Sequence, residues 1–74
     1  MTRTELQALA VKALGEGATV ETFTSYFDSS HWFARASNRN SVHRVLVEMD
    51  DEAAATRALA AALTALVNDK EKKP

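Results

Sequence analysis

The chain has 74 residues, nine basic and ten acidic, with a net charge of −1 and no cysteine. A chain of this size supports one domain with a small core, burying only about 60% of its extended surface. Disulfides and thiolate metal sites are excluded, and the near-neutral balance argues against a generally basic nucleic-acid binder or a polybasic membrane patch.

The first segment, MTRTELQ, lacks the apolar core of a signal peptide, and no run reaches the roughly 18 apolar residues of a membrane span. The cytoplasm is therefore the expected compartment, with no membrane partner. Thr2 and Glu5 have the spacing of a capping box, as do Thr4 and Gln7. Leu6, Leu9, Ala10, Ala13 and Leu14 then recur at helical spacing, with Gln7 and Lys12 off the stripe. Gly15-Glu16-Gly17 ends the helix, since glycine takes the left-handed C-terminal conformation at little cost. The predicted helix covers 3–14.

Residues 19–27, TVETFTSYF, are β-branched and aromatic and predict a strand. Val20, Thr22, Thr24 and Tyr26 point one way; Glu21, Phe23, Ser25 and Phe27 point the other. Asp28-Ser29-Ser30 follows as a turn. A second strand over 31–37 and a third over 42–49 are joined by Asn38-Arg39-Asn40-Ser41, whose asparagines suit a hairpin. A loop of 38–41 sets Ser37 opposite Val42, Ala34 opposite Val45 and Trp32 opposite Val47. One face then carries Trp32, Ala34, Ala36, His43, Val45, Val47 and Met49, a core face with room for a close helix. The other carries His31, Phe33, Arg35, Val42, Arg44, Leu46 and Glu48, with Tyr26 or Phe27 able to add a ring. This pairing sets Arg35 against Arg44, a repulsive cost unless an anion binds there.

The last helix covers 50–67, DDEAAATRALAAALTALV, and starts on acid as a helix N-terminus favours. It is apolar nearly all round, so one neighbour is too few to cover it. Leu59, Leu63 and Leu66 are expected on the sheet, leaving Ala54, Ala58, Ala61 and Ala65 for helix 1 or for the same helix in a second subunit. Residues 1–68 make a single α+β domain and 69–74 a charged C-terminal tail.

Chemistry-bearing constellations are few. His31 and His43 fall on opposite faces in this register, which is poor for a shared metal, and His31 has Glu48 as the simpler partner. Asp28, Ser29, Ser30 and His31 adjoin in sequence, yet a triad needs a pocket and an oxyanion site that so small a domain has little room to build. No catalytic residue, metal or cofactor is expected. The second sheet face is too apolar for plain solvent exposure and too charged for a core. It is either covered by one helix on each side of the sheet or it is an interface. From His31 to Arg44 the chain carries Arg35, Arg39 and Arg44 and no acid, with Phe33 interleaved, a pattern able to stack and neutralise single strands. The acidic cluster Glu48, Asp50, Asp51 and Glu52 follows at once; it serves as helix capping or as a negative patch for a basic partner.

Two resemblances bear on these residues. The helix–strand–strand–strand–helix order resembles double-stranded RNA-binding domains. Those place lysines at the start of the last helix, where this chain has Asp50-Asp51-Glu52, so that function is not implied. The run HWFARAS…VHRVLVEM…EAAATRALAAALTALV, residues 31–68, resembles small phage-encoded α/β/α sandwich proteins, in which a tryptophan-bearing hairpin leads into an Ala- and Leu-rich helix. That resemblance implies a phage or mobile-element accessory protein in the host cytoplasm, with no catalytic residue to carry over.

The expected fold is α+β: helix, three-stranded antiparallel meander, helix, with the helices packed on the sheet. The expected function is a non-enzymatic protein-interaction module, a homodimer that binds and modulates or inhibits a host protein. Its contact residues are Phe33, Arg35, Arg44 and Leu46, with Asp50, Asp51 and Glu52 as a second patch. The alternative is a single-stranded nucleic-acid binder using Tyr26, Phe33, Arg35, Arg39 and Arg44.

Overall fold

A computed structural model describes residues 2–24, 30–40 and 43–72. Five elements follow in order: α1 (Arg3–Leu14), β1 (Ala18–Thr24), β2 (Trp32–Asn38), β3 (Arg44–Met49) and α2 (Glu52–Lys72). The strands form one antiparallel sheet in the order β1-β2-β3, so the α+β meander is as the sequence predicts.

Helix α1 starts on the predicted capping box. The Glu5 amide donates to the Thr2 hydroxyl at 3.1 Å, and the Thr2 amide donates to the Glu5 carboxylate at 3.3 Å. It ends where Gly15, at φ +98°, donates its amide to the Val11 carbonyl at 2.7 Å. Helix α2 is capped by Asp51, whose carboxylate accepts from the Ala54 amide at 2.7 Å. It runs on through Lys72, five residues past the predicted end. Most of the charged stretch from residue 69 is thus helical, because Asp69, Lys70 and Glu71 are all tolerated in an exposed last turn.

Side-chain alternation puts Ala18, Val20, Ala34, Ala36, Val45 and Val47 on one face of the sheet, and both helices pack there. Leu6, Ala10 and Ala13 of α1 join Ala55, Leu59, Leu63 and Val67 of α2 in one core with Ala18, Val20, Ala34 and Ala36. The result has two layers, so of the two alternatives for the second sheet face the one with a helix on each side is excluded. Small residues at Ala34 and Ala36 let both helices sit close over the same strands. Among the described residues only Leu59 and Leu63 are large, fully enclosed side chains, each contributing about 1.5–3 kcal/mol by burial. Leu66, expected on the sheet, is exposed instead; the buried row is Ala55, Leu59, Leu63 and Val67, every fourth residue. The second neighbour of α2 is α1. Their C-terminal ends meet at Lys12 and Glu71, 4.0 Å apart.

The β2–β3 pairing differs from the expected one by two residues. Trp32 faces Met49, Ala34 faces Val47, Ala36 faces Val45 and Ser37 faces Arg44. A shift of two preserves which face each side chain occupies, so the core face survives intact. Arg35 consequently lies opposite Leu46, not Arg44. The cause is Asn38. It ends β2 as a strand residue, its side chain buried against the end of α1. There its Nδ2 donates to the carbonyls of Leu14 and Glu16 at 2.9 and 3.0 Å, and its Oδ1 accepts from the Asn40 amide at 2.9 Å. Asn38 is therefore paired, its amide donating to the His43 carbonyl at 3.3 Å, and the turn starts one residue later than predicted.

Candidate binding face

The face of the sheet away from the helices carries Thr19, Glu21 and Phe23 of β1, Phe33, Arg35 and Ser37 of β2, and Arg44, Leu46 and Glu48 of β3. Neither helix covers it. Phe23 and Phe33 are directly opposed across β1 and β2, their rings nearly parallel at 12° with centroids 5.3 Å apart. The Arg35 guanidinium lies 5.4 Å over the Phe23 ring. It also forms an ion pair with Glu21, its cross-strand partner. Arg35 Nε is buried and has no hydrogen-bond partner among the described residues. The centre of this face is thus a half-buried aromatic pair clasped by one arginine whose charge is matched within the chain.

Towards the Asn38 end lies a shallow basic depression lined by Arg3, Arg35, Arg39, His43 and Arg44, with Glu21 as its one acid. Arg3 reaches it from α1 by donating to the Val20 carbonyl at 3.0 Å. Arg39 and Arg44 are exposed and make no ion pair among the described residues. At the opposite end His31 sits 3.5 Å from Glu48. The two histidines therefore lie at opposite ends of the sheet, and no group of three metal-ligating side chains occurs among the described residues.

Of the predicted contact residues, Phe33, Arg35, Arg44 and Leu46 share this face. Asp50, Asp51 and Glu52 do not join them; they lie at the far end of β3, where Asp51 caps α2. Of the nucleic-acid set, Arg35, Arg39 and Arg44 converge on the depression, and Tyr26 lies outside the described residues. The sequence reading missed Phe23 as the second ring and Arg3 as a contributor from α1. The strand alternation already put Phe23 on the Glu21 side, which was the available signal. Comparison with protein-family models, with curated proteins and with solved structures returned no match. Among the described residues no helix is long and apolar enough to cross a membrane.

Proposed function

We propose that the chain is a non-enzymatic protein-binding module that works as a homodimer and engages a protein partner through the open face of its sheet. The observation that supports this is the placement of both helices on one side, which leaves Phe23, Phe33, Leu46 and Arg35 on the other. Stacked rings beside an arginine are the side-chain types that anchor protein interfaces. Arg35 is already neutralised by Glu21, which suits a packed protein contact better than a phosphate grip. Modulation or inhibition of a host protein is the corresponding biological role. The test is a pull-down with the chain as bait. A single partner retained by the wild type and by Arg57→Glu on the helix side, where Arg57 is exposed, and lost with Phe33→Ala plus Arg35→Ala, supports the reading. Retention by the sheet-face variant overturns it.

A second reading is favoured by the convergence of Arg3, Arg35, Arg39, His43 and Arg44 next to the Phe23–Phe33 stack. That arrangement suits a single strand of nucleic acid, with bases on rings and phosphates at the depression. Gel-shift titration with single-stranded oligonucleotides decides it: binding should tighten at low salt and weaken with Arg39→Glu. No shift at low salt removes this reading.

A further inference from the structure

The two edges of the sheet are treated differently. On β1 the outward backbone groups of Ala18 and Val20 are engaged by α1: the Gln7 side chain donates to the Ala18 carbonyl and accepts from the Val20 amide, and Arg3 donates to the Val20 carbonyl. The helix thereby stands in for a neighbouring strand along the first part of β1. On β3 the hydrogen-bonded partners of β2 are the odd-numbered residues, beginning with His43 and Asn38. The amides and carbonyls of Arg44, Leu46 and Glu48 therefore point outward, and all three residues are exposed. An open edge of this kind is a template for another strand.

We infer that the occupant of this edge is a second copy of the chain, with β3 paired antiparallel to β3 about a twofold axis at Leu46. This inference rests on the homodimer reading above and specifies its interface. The sequence of β3, Arg-Val-Leu-Val-Glu-Met, is self-complementary in this register. Arg44 of each copy meets Glu48 of the other, with Leu46 against Leu46 between them. All these positions are even-numbered, so the groups that pair are the ones that face outward. A shift by two residues either way would set Leu46 against a charge. A parallel pairing in the same register would set like charges together.

Further observations agree. Among the described residues the exposed large hydrophobic ones are Leu46 at 53%, Met49 at 40% and Leu66 at 37%, and all belong to β3 and α2. Leu66 and Asp69 share a depression with Arg44 and Val45 and with Ala13 and Leu14 of α1, so the last turns of α2 pass over the start of β3. Neighbouring strands are about 4.8 Å apart. A helix seated over β2 and β3 would then meet its twofold mate at about 9–10 Å, the ordinary spacing of packed helices. The half-buried Ala62 and Ala58, one and two turns before Leu66, lie on the same flank. Charge also agrees along the whole edge, because antiparallel pairing brings the Asp50–Asp51 end of each copy to the Arg39–Arg44 end of the other.

Sedimentation equilibrium and cysteine cross-linking on the full chain test this, and the absence of native cysteine makes a single introduced thiol unambiguous. In a hydrogen-bonded antiparallel pair the Leu46 Cα atoms would be about 5.5 Å apart, inside the disulfide range. Leu46→Cys should oxidise to a covalent dimer, and Ser37→Cys, one strand inward, should not. Arg44→Glu should weaken the dimer at least 10-fold, and Arg44→Glu with Glu48→Arg should restore it to within about 3-fold. A dimer that ignores Arg44→Glu and fails to cross-link at Leu46→Cys overturns the β3 pairing but leaves self-association standing. A monomer at high micromolar concentration overturns both.

Discussion

Replacing Asn38 by alanine removes more than its small size suggests. The side chain is 6% exposed and makes three hydrogen bonds, to the Leu14 and Glu16 carbonyls and from the Asn40 amide. Each such bond contributes about 0.5–1.5 kcal/mol net, and the abandoned carbonyls at the end of α1 add a desolvation cost, so Asn38→Ala should lose about 2–4 kcal/mol. A domain this small holds roughly 4–11 kcal/mol in total. Urea unfolding followed by the single tryptophan, Trp32 at the far end of β2, and by far-ultraviolet dichroism measures it. With a slope of about 1 kcal/mol/M the midpoint should fall by about 2 M or more. Asn38→Asp keeps the acceptor for Asn40 and turns a carboxylate oxygen towards two carbonyls. It should be no more stable than Asn38→Ala at neutral pH. Because the folded state then favours the protonated acid, its pKa rises on folding, and stability should partly return as pH falls through that raised value. A loss below about 0.5 kcal/mol for Asn38→Ala would refute the role given to this residue in closing α1 onto the hairpin.

Gln7→Ala should cost about 1–2 kcal/mol and release the Val20 amide to faster hydrogen exchange; unchanged protection there would mean that α1 does not cap the β1 edge. Gly17→Ala adds a Cβ at φ +93° only 2.6 Å from Asn40 Nδ2, so about 1–3 kcal/mol should be lost and Tm should fall by at least about 5 °C. Hydrogen bonds from the Thr2 backbone amide and hydroxyl hold the Glu5 carboxyl below its ordinary range. A carboxyl depressed on folding stabilises above its unfolded pKa and ceases to do so as pH falls through the folded value. The protection of the first amides of α1, taken relative to their intrinsic exchange rates, should therefore drop in acid, below about pH 4, and Glu5→Gln should abolish that dependence.

The parts of this fold legible in the sequence are those set by local rules. Thr2 with Glu5 marked one end of α1 and Gly15 the other, and the alternation of alanines with Phe33, Arg35 and Arg44 identified both faces of the hairpin. What escaped was set by tertiary hydrogen bonds. Asn38 looks like any turn asparagine, yet its amide group is spent on the end of α1, and the turn moves by one residue as a result. Gln7 sits off the apolar stripe of α1 and reads as solvent-facing, yet it binds a strand edge. The sidedness of the helices was illegible because Phe33 and Leu46 make the open face nearly as apolar as the covered one. Of the candidate site, Arg35, Arg39 and Arg44 line one depression although Arg35 and Arg44 are not the cross-strand pair the expected register made them, and the acidic cluster is separate because Asp51 is needed where α2 begins.

The alanine floor has a calorimetric consequence. Ala10, Ala34, Ala36 and Ala55 are wholly enclosed, and among the described residues only two large aliphatic side chains share that condition. Unfolding therefore hands water little hydrocarbon for each residue released. The heat-capacity increment should lie below the common value of about 12–15 cal/mol/K per residue. A small increment flattens the dependence of stability on temperature. The chain gains a low but wide dome, losing little in the cold and melting over a broad interval when warmed.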